Sequence, residues 1–445
     1  MKTFFIIFLL ATSVLGEEVR AGLVQRGDQI LAKEKANVRM TPASVQKLLV
    51  GAAALHYLGP DYRIVTELRS AKAPQGGVLE DLVVVAAGDP TWSERFFEST
   101  MPTERLAASL KEKGVQRVAG DLVVDISRFP GRPHAVSRSG VELAHAFSAP
   151  TSGFAVDENA VLVRLIPGPG IGAPARLEAK GKAARIAWTN RVHMVSEERH
   201  ERGTVDFLPV WGEPRVIVRG EYPISEPSYN LRLSVPDPNA HAGHALAAAI
   251  QAAGIPIDGR VRVVRTAPTA SLTLVRIESP PLTEILVPIF HKSHNWLAEM
   301  LLLQISYAVQ GEGRDDEALD LIASFLTENV GVDEKDFVLD DGSGLSPFNL
   351  ITADAVVRML KHAQGATWGQ AFIAALPNTR EGTLRAWSRA GDIRAKTGTL
   401  RDSLALAGYA GPRNEIAFAV FRGHLDDQPK ASVRSEMTDW LRSSW

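Results

Sequence analysis

Apolar positions follow three different rhythms along the chain. A continuous apolar run occupies 4–11, behind Lys2 and Thr3. From Val19 the pattern becomes two short apolar stretches, 19–24 and 30–32, around Arg26-Gly27-Asp28, which predicts a hairpin with a glycine-containing turn. Between 43 and 58 the apolar residues Val45, Leu48, Leu49, Ala52, Ala53, Leu55 and Leu58 recur every three to four positions, the spacing of a buried helix. Thr41 suits its N-cap and Pro42 its first helical position. From 62 to 264 the runs are short, at 82–86, 122–125, 161–165 and 216–218, and glycine and proline separate them, as at 88–90 and 167–170. Helical patterns intervene near 104–113 and 241–253. This mixed region carries no chemical motif and reads as an insertion. Helical patterns return at 282–290, 295–309 and 318–329. Strand-like runs follow at 393–400, 405–409 and 416–422, then a last helix at 432–441. The predicted fold is α/β (α+β): a sheet built from the N-terminal hairpin and the C-terminal strands, packed against helices.

Composition narrows the classes. With 445 residues, 45% of them hydrophobic and 22% charged, the chain has the make-up of a globular protein of about two or three domains. The net charge of -2 offers no footprint for nucleic acid. There is no cysteine, so disulfides, thiolate chemistry, iron–sulfur clusters and a cysteine-linked lipid anchor are excluded. Beyond the N-terminal run, no apolar stretch reaches the roughly 18 residues of a membrane-spanning helix. Lys2, the 4–11 run and small residues up to Gly16 predict a signal peptide over 1–16, cleaved after Gly16. The expected location is therefore outside the cytoplasm, periplasmic or extracytoplasmic, with the mature chain soluble and without a transmembrane anchor.

Three short motifs carry the candidate chemistry. Ser44-Val45-Gln46-Lys47 is an S-x-x-K tetrad at the start of the first buried helix. Residues three apart share a helix face, so Lys47 can reach Ser44. A serine hydroxyl needs a base, and lysine serves only when desolvation or a second cation pulls its pKa down. Ser293-His294-Asn295 is an S-x-N triplet at a loop-to-helix junction. Lys396-Thr397-Gly398, followed by Thr399, lies in a predicted strand, where the glycine would let a substrate backbone lie alongside. Each motif alone recurs by chance. Together, in this order, they match the serine penicillin-interactive signature, with S-H-N in place of S-D-N.

With these residues the chain resembles the class C low-molecular-mass penicillin-binding proteins, D-alanyl-D-alanine carboxypeptidase/endopeptidases. From Ser44 to Ser293 is 249 positions, a gap that this family fills with an insertion. Gly88-Asp89-Pro90-Thr91, Ala149-Pro150-Thr151-Ser152 and Asp341-Gly342-Ser343-Gly344-Leu345 also look like the family. The resemblance implies a serine β-lactamase/transpeptidase-like domain at 17–62 and 273–445, a second domain at 63–151 and 229–272, and a nested third domain at 152–228. It implies Ser44 as nucleophile, Lys47 as base and Ser293 as proton relay. Asn295 would bind the substrate amide. Lys396, Thr397, Gly398 and Thr399 would bind its terminal carboxylate, and the N–H groups of Ser44 and Thr399 would form the oxyanion hole. The central residue of the triplet would point away from substrate. Relatives carry a Trp, an acid and a Tyr ahead of the Ala-Pro segment for side-chain recognition. Here Glu142 stands as the acid and Phe147 in the tyrosine place, with no matching tryptophan. Peptidoglycan stem peptides are the implied substrate and β-lactam antibiotics the implied inhibitors, with no cofactor and no metal.

Other readings of the same residues are a β-lactamase or esterase, although no residue stands out as an added deacylation base, and a dormant cell-wall-binding protein. His241/His244 and His291/His294 have spacings that suit a metal but lack a third ligand. The 168–172 glycines are broken by proline and do not make a dinucleotide loop.

Overall fold

The computed structural model describes residues 18–445 apart from 98–100, 139–141, 180–185, 197–203, 211–212, 214 and 426–427. The expected signal segment at 1–16 lies outside the described residues.

The predicted hairpin forms as strands Val19–Arg26 and Gln29–Glu34. Its first strand also pairs antiparallel with Ile416–Gly423, which continues through Ser403–Ala410 to Ile393–Thr399. The two ends of the chain thus make one five-stranded antiparallel sheet. Every residue of Ser403–Ala410 and Ile416–Gly423 is buried, because helices cover both faces. Side chains alternate between faces with the pleat. Ala405, Ala407 and Tyr409 pack toward the core containing helices Gln46–Leu58, Leu282–His291, Asn295–Gln310 and Ala353–Gly365. Leu404, Leu406 and Ala410 pack toward Lys430–Arg442. Ile393–Thr399 is an edge strand. The backbone at 377–378 covers only its beginning, through Ala395 N–H donating to Pro377 O at 3.1 Å and a bridge from Asn378 to Arg394.

The intervening region builds a second five-stranded sheet, ordered Val261–Val264, Leu122–Asp125, Leu82–Val85, Val65–Ser70, Leu272–Glu278. Its first three strands are parallel. Strands of this kind are buried on both faces and read as unbroken apolar runs, as in the Leu-Val-Val-Val of Leu82–Val85. Helices Pro102–Glu112 and Pro238–Ala252 close its core. Leu272–Glu278 pairs with Val65–Ser70, so this sheet runs past the expected boundary at 272. Two three-stranded sheets enclose a further core between about 160 and 234. There Tyr229–Ser234 pairs with Ala160–Ile166, which carries that unit past 228. Among the described residues, no helix is long and apolar enough to cross a membrane.

Candidate active site

Ser44 lies in a 3-10 turn, Ala43–Val45, that precedes the α-helix Gln46–Leu58. Thr41 makes no cap; Pro42 occupies that position with φ -74°. Ala43 is left-handed, φ 45°, at a cost of about 1–2 kcal/mol for a residue with a Cβ. Packing holds it there. The turn lies against strands Ile393–Thr399 and Ser403–Ala410, and a Cβ on Gly398 would come within 2.5 Å of the Pro42 carbonyl oxygen. The K-T-G glycine therefore admits the serine turn itself, a role the sequence assigned to a substrate backbone. Gly344, φ 74°, presses on the same turn: its Cβ would lie 1.9 Å from the Ala43 carbonyl oxygen.

Lys47 is buried while Ser44 is half-exposed. Lys47 Nζ lies 2.9 Å from Ser44 Oγ and 2.8 Å from Asn295 Oδ1, and also contacts the Ser343 carbonyl oxygen. The last two groups only accept hydrogen bonds. A neutral amine would give them its two hydrogens and turn its lone pair to the Ser44 hydroxyl. Burial pushes the Lys47 pKa down to about 7; the Arg138 cation acts the same way, against Asp341 and Glu299.

Lys396, also buried, forms a second hub. Its Nζ donates to Ser293 Oγ at 2.9 Å and to the Thr397 carbonyl oxygen at 2.7 Å. Burial, and then the charge of Lys47, hold its pKa well below the ordinary range. Repulsion between the two amines is mutual, so the cleft holds one proton more readily than two. Thr397 Oγ1 is 2.7 Å from Thr383 Oγ1, and Thr399 is exposed at the strand end. The S-x-N triplet bridges the hubs, since Ser293 meets Lys396 and Asn295 meets Lys47. Ser293 is left-handed, φ 55°. His294 caps helix Asn295–Gln310, its Nδ1 accepting from Leu297 N–H at 3.3 Å.

The floor of the cleft was less legible. The Ser343 carbonyl belongs to a loop built on buried Asp341, which accepts from Gly344 N–H at 2.6 Å, Ser346 N–H at 3.0 Å and Asn349 Nδ2 at 2.7 Å. Arg138 forms ion pairs with Asp341 and Glu299, both at 2.9 Å. Glu299 accepts from Ser343 N–H at 3.0 Å. Burial first, then the Asp341 charge, raises the Glu299 pKa against Arg138. Arg138, Glu299, Asp341, Ser343 and Thr383 were not singled out as site residues. The D-G-S-G-L string was their one sequence signal.

Glu142 and Phe147 lie in successive short turns, Glu142–Ala144 and Ala146–Ser148. Phe147 is exposed and stacks on His145 at 5.2 Å. The segment is tied to the triplet's helix by Trp296 Nε1, which donates to Pro150 O at 2.9 Å. Among the described residues, neither side chain hydrogen-bonds to the three motifs, and no group of three or more His, Cys, Asp or Glu is arranged to hold a metal ion.

Comparison with known proteins shows the family and the fold. The chain is 32% identical, over 91% of its length and 77% of the relative's, to a D-alanyl-D-alanine carboxypeptidase of Actinomadura sp. (strain R39). Its fold matches penicillin binding protein 4 of Haemophilus influenzae with a TM-score of 0.85, 23% identity and 96% coverage of both chains. A second structure of that protein, complexed with a β-lactam, matches with a TM-score of 0.82, 22% identity and the same coverage. The model of the D-Ala-D-Ala carboxypeptidase 3 (S13) family matches residues 11–444. The chain belongs to the D-Ala-D-Ala carboxypeptidase 3 (S13) family.

Proposed function

We propose that the protein hydrolyses the D-Ala-D-Ala bond of peptidoglycan stem peptides through an acyl-enzyme on Ser44. The observation that carries this reading is Lys47: buried, with a pKa near 7 and 2.9 Å from the Ser44 hydroxyl. Ser44 Oγ attacks the carbonyl carbon between the two D-alanines as its proton passes to Lys47 Nζ. The N–H groups of Ser44 and Thr399 receive the oxyanion, a contribution of about 3–4 kcal/mol per donor in comparable sites. Lys47 and Ser293 return the proton to the leaving D-alanine nitrogen, and water then hydrolyses the ester. Asn295 orients both Lys47 and the substrate amide.

The terminal carboxylate meets Lys396, Thr397 and Thr399. An anion beside Lys396 favours its protonated form, and that cation in turn favours neutral Lys47. Substrate binding would thereby prepare the base. The edge of Ile393–Thr399 beyond the segment covered by 377–378 lets an extended peptide add as a strand, and Gly398 keeps that strand close to Ser44. The same cleft would accept cross-linked peptides, giving D,D-endopeptidase activity, and penicillin, which would acylate Ser44 and leave slowly. Glu142 and Phe147 would contact the stem-peptide side chain. Such a substrate lies outside the cytoplasm, where a signal peptide at 1–16 would deliver the enzyme. Three units, with the second ending near 278 and the nested one near 234, would divide the work of catalysis and substrate positioning.

The test is release of D-alanine from a muropeptide ending in D-Ala-D-Ala. We expect release by the wild type and none by Ser44→Ala; no release by the wild type would contradict the reading.

A further inference from the structure

One buried contact on the S-x-N triplet joins a left-handed turn to His294, the residue after left-handed Ser293, and it has no part in the chemistry above. Asp157, Glu158 and Asn159 are consecutively left-handed, with φ of 52°, 60° and 52°. None is glycine, and L residues visit this region singly rather than in runs. Strain of this kind persists only where the surroundings over-determine it, and it concentrates at functional sites. Here Asn159 Nδ2 donates to Pro150 O at 2.8 Å and Ser152 Oγ at 2.9 Å, Asp157 N–H donates to Trp92 O at 2.8 Å, and Val235 N–H donates to Asn159 O at 2.9 Å. The turn delivers the carboxylate of Glu158, only 2% exposed, to the ring of His294.

The partners of that carboxylate are specific. Ser93 Oγ donates to Oε1 at 2.5 Å; Arg232 and Arg95 reach Oε2 at 2.7 and 3.0 Å. His294 Nε2 faces the same Oε2 at 3.6 Å. Because His294 Nδ1 accepts from Leu297 N–H, the hydrogen of the neutral ring sits on Nε2 and points at the carboxylate. Phe96 packs edge-on against the ring at 4.9 Å and fixes its plane. Burial, despite Glu158, lowers the His294 pKa, with Arg95 and Lys47 the cations that act on it. A second link runs parallel: Pro150 O accepts from both Asn159 Nδ2 and Trp296 Nε1, and Trp296 directly follows Asn295. The strained turn therefore grips the triplet's helix start through a side chain and through a shared carbonyl.

We infer that Glu158 is a positioning residue for acylation, which acts through the His294 ring to hold Ser293 and Asn295 in register with Lys396 and Lys47. The inference rests on the proposed acyl-enzyme chemistry. It also explains why a histidine fits the middle of this triplet: one ring both caps the helix and reaches a carboxylate supplied by the inserted region. A lone capping side chain would do only the first.

The test is a double-mutant cycle on the rate constant for acylation by a fluorescent penicillin at saturating ligand. The variants are Glu158→Gln, His294→Asn and the double variant, in the full chain. Asparagine keeps the helix cap but cannot reach Glu158. Each single change is expected to slow acylation by about tenfold, the scale of a small displacement of reacting groups. The double variant should be no slower than His294→Asn, because the two residues act as a unit. The melting temperature, followed in parallel, separates loss of fold from loss of register. Multiplicative losses in the double variant, or a Glu158→Gln rate within twofold of wild type, would overturn the inference. Should Glu158→Gln not fold, Ser93→Ala, which removes one donor to the carboxylate, takes its place in the same cycle with the same criteria. Wild type and Ser44→Ala run alongside: labelling that survives in Ser44→Ala would defeat the acyl-enzyme reading itself, whatever the cycle gives.

Discussion

The two five-stranded sheets of this molecule use their interiors differently. The sheet of the inserted region buries Leu82–Val85, Leu122–Asp125 and the helices beside them as an almost wholly apolar core, and its ion pairs, such as Arg117–Asp258, lie at the surface. The sheet made from the two chain ends buries Lys396 on its edge and Lys47 on the helix against it, both with no exposed surface. Burying a charged amine costs several kcal/mol unless it is paired or neutral. Left-handed Ala43 and Ser293 flank the same cleft, and the left-handed turn at 157–159 reaches it through His294. Two fully buried amines meet at the motifs, whereas the apolar core of the inserted sheet holds none.

Four substitutions or titrations sharpen the contrast. The largest effect is expected from Lys47→Met. Acylation by penicillin should fall by about 10³-fold, the worth of a positioned proton acceptor, while thermal stability changes little, because removal of a buried amine offsets the loss of its hydrogen bonds to Asn295 and the Ser343 carbonyl. A large drop in melting temperature would mean that Lys47 is structural.

Gly344→Ala comes next. At φ 74° with the Ala43 carbonyl oxygen 1.9 Å from the new Cβ, it should cost more than about 2 kcal/mol in denaturant unfolding and slow acylation by displacing the serine turn. Gly311→Ala is the control. It is left-handed, with φ 87° and ψ -5°, and has nothing within 4 Å of its Cβ, so only the backbone term of about 1–2 kcal/mol applies.

The third expectation concerns pH. The Lys47 pKa is lowered to about 7, so the neutral form, the proposed proton acceptor, dominates above that value. The acylation rate should rise with pH up to about 7 and level off beyond it. Arg138→Met removes a cation and leaves Asp341 and Glu299 unopposed; both changes favour protonated Lys47, so the midpoint should move upward. A midpoint that stays or falls would contradict the account of the floor. The smallest effect is expected in the inserted sheet. Arg117→Ala breaks an exposed ion pair, and such pairs contribute little. Melting temperature and acylation rate should be indistinguishable from wild type.

The parts legible in the sequence share a physical basis. The three motifs are local: Ser44 and Lys47 are one helical turn apart, and Lys396 to Thr399 follow along one strand. The apolar rhythms marked the hairpin, the first helix and the late strands because burial on one or both faces leaves a period. The cleft floor left no such trace. Arg138, Glu299 and Asp341 come from three distant segments and meet only through folding, and each alone reads as an ordinary charged residue. The left-handed turn at 157–159 was equally hidden, since Asp-Glu-Asn carries no glycine to announce a positive φ. At Gly398 the sequence indicated close approach by a substrate backbone, whereas the group that presses on it is the serine turn, at the Pro42 carbonyl. The strands Tyr229–Ser234 and Leu272–Glu278 fell across the expected domain limits because pairing partners far upstream, at Ala160–Ile166 and Val65–Ser70, decide where each belongs.

The most direct test of the account is intact-protein mass spectrometry after incubation with penicillin, followed by peptide mapping. The account predicts a single covalent penicilloyl group, carried on the peptide that contains Ser44 and absent from Ser44→Ala. An adduct on any other residue, or none at any time point, would contradict it.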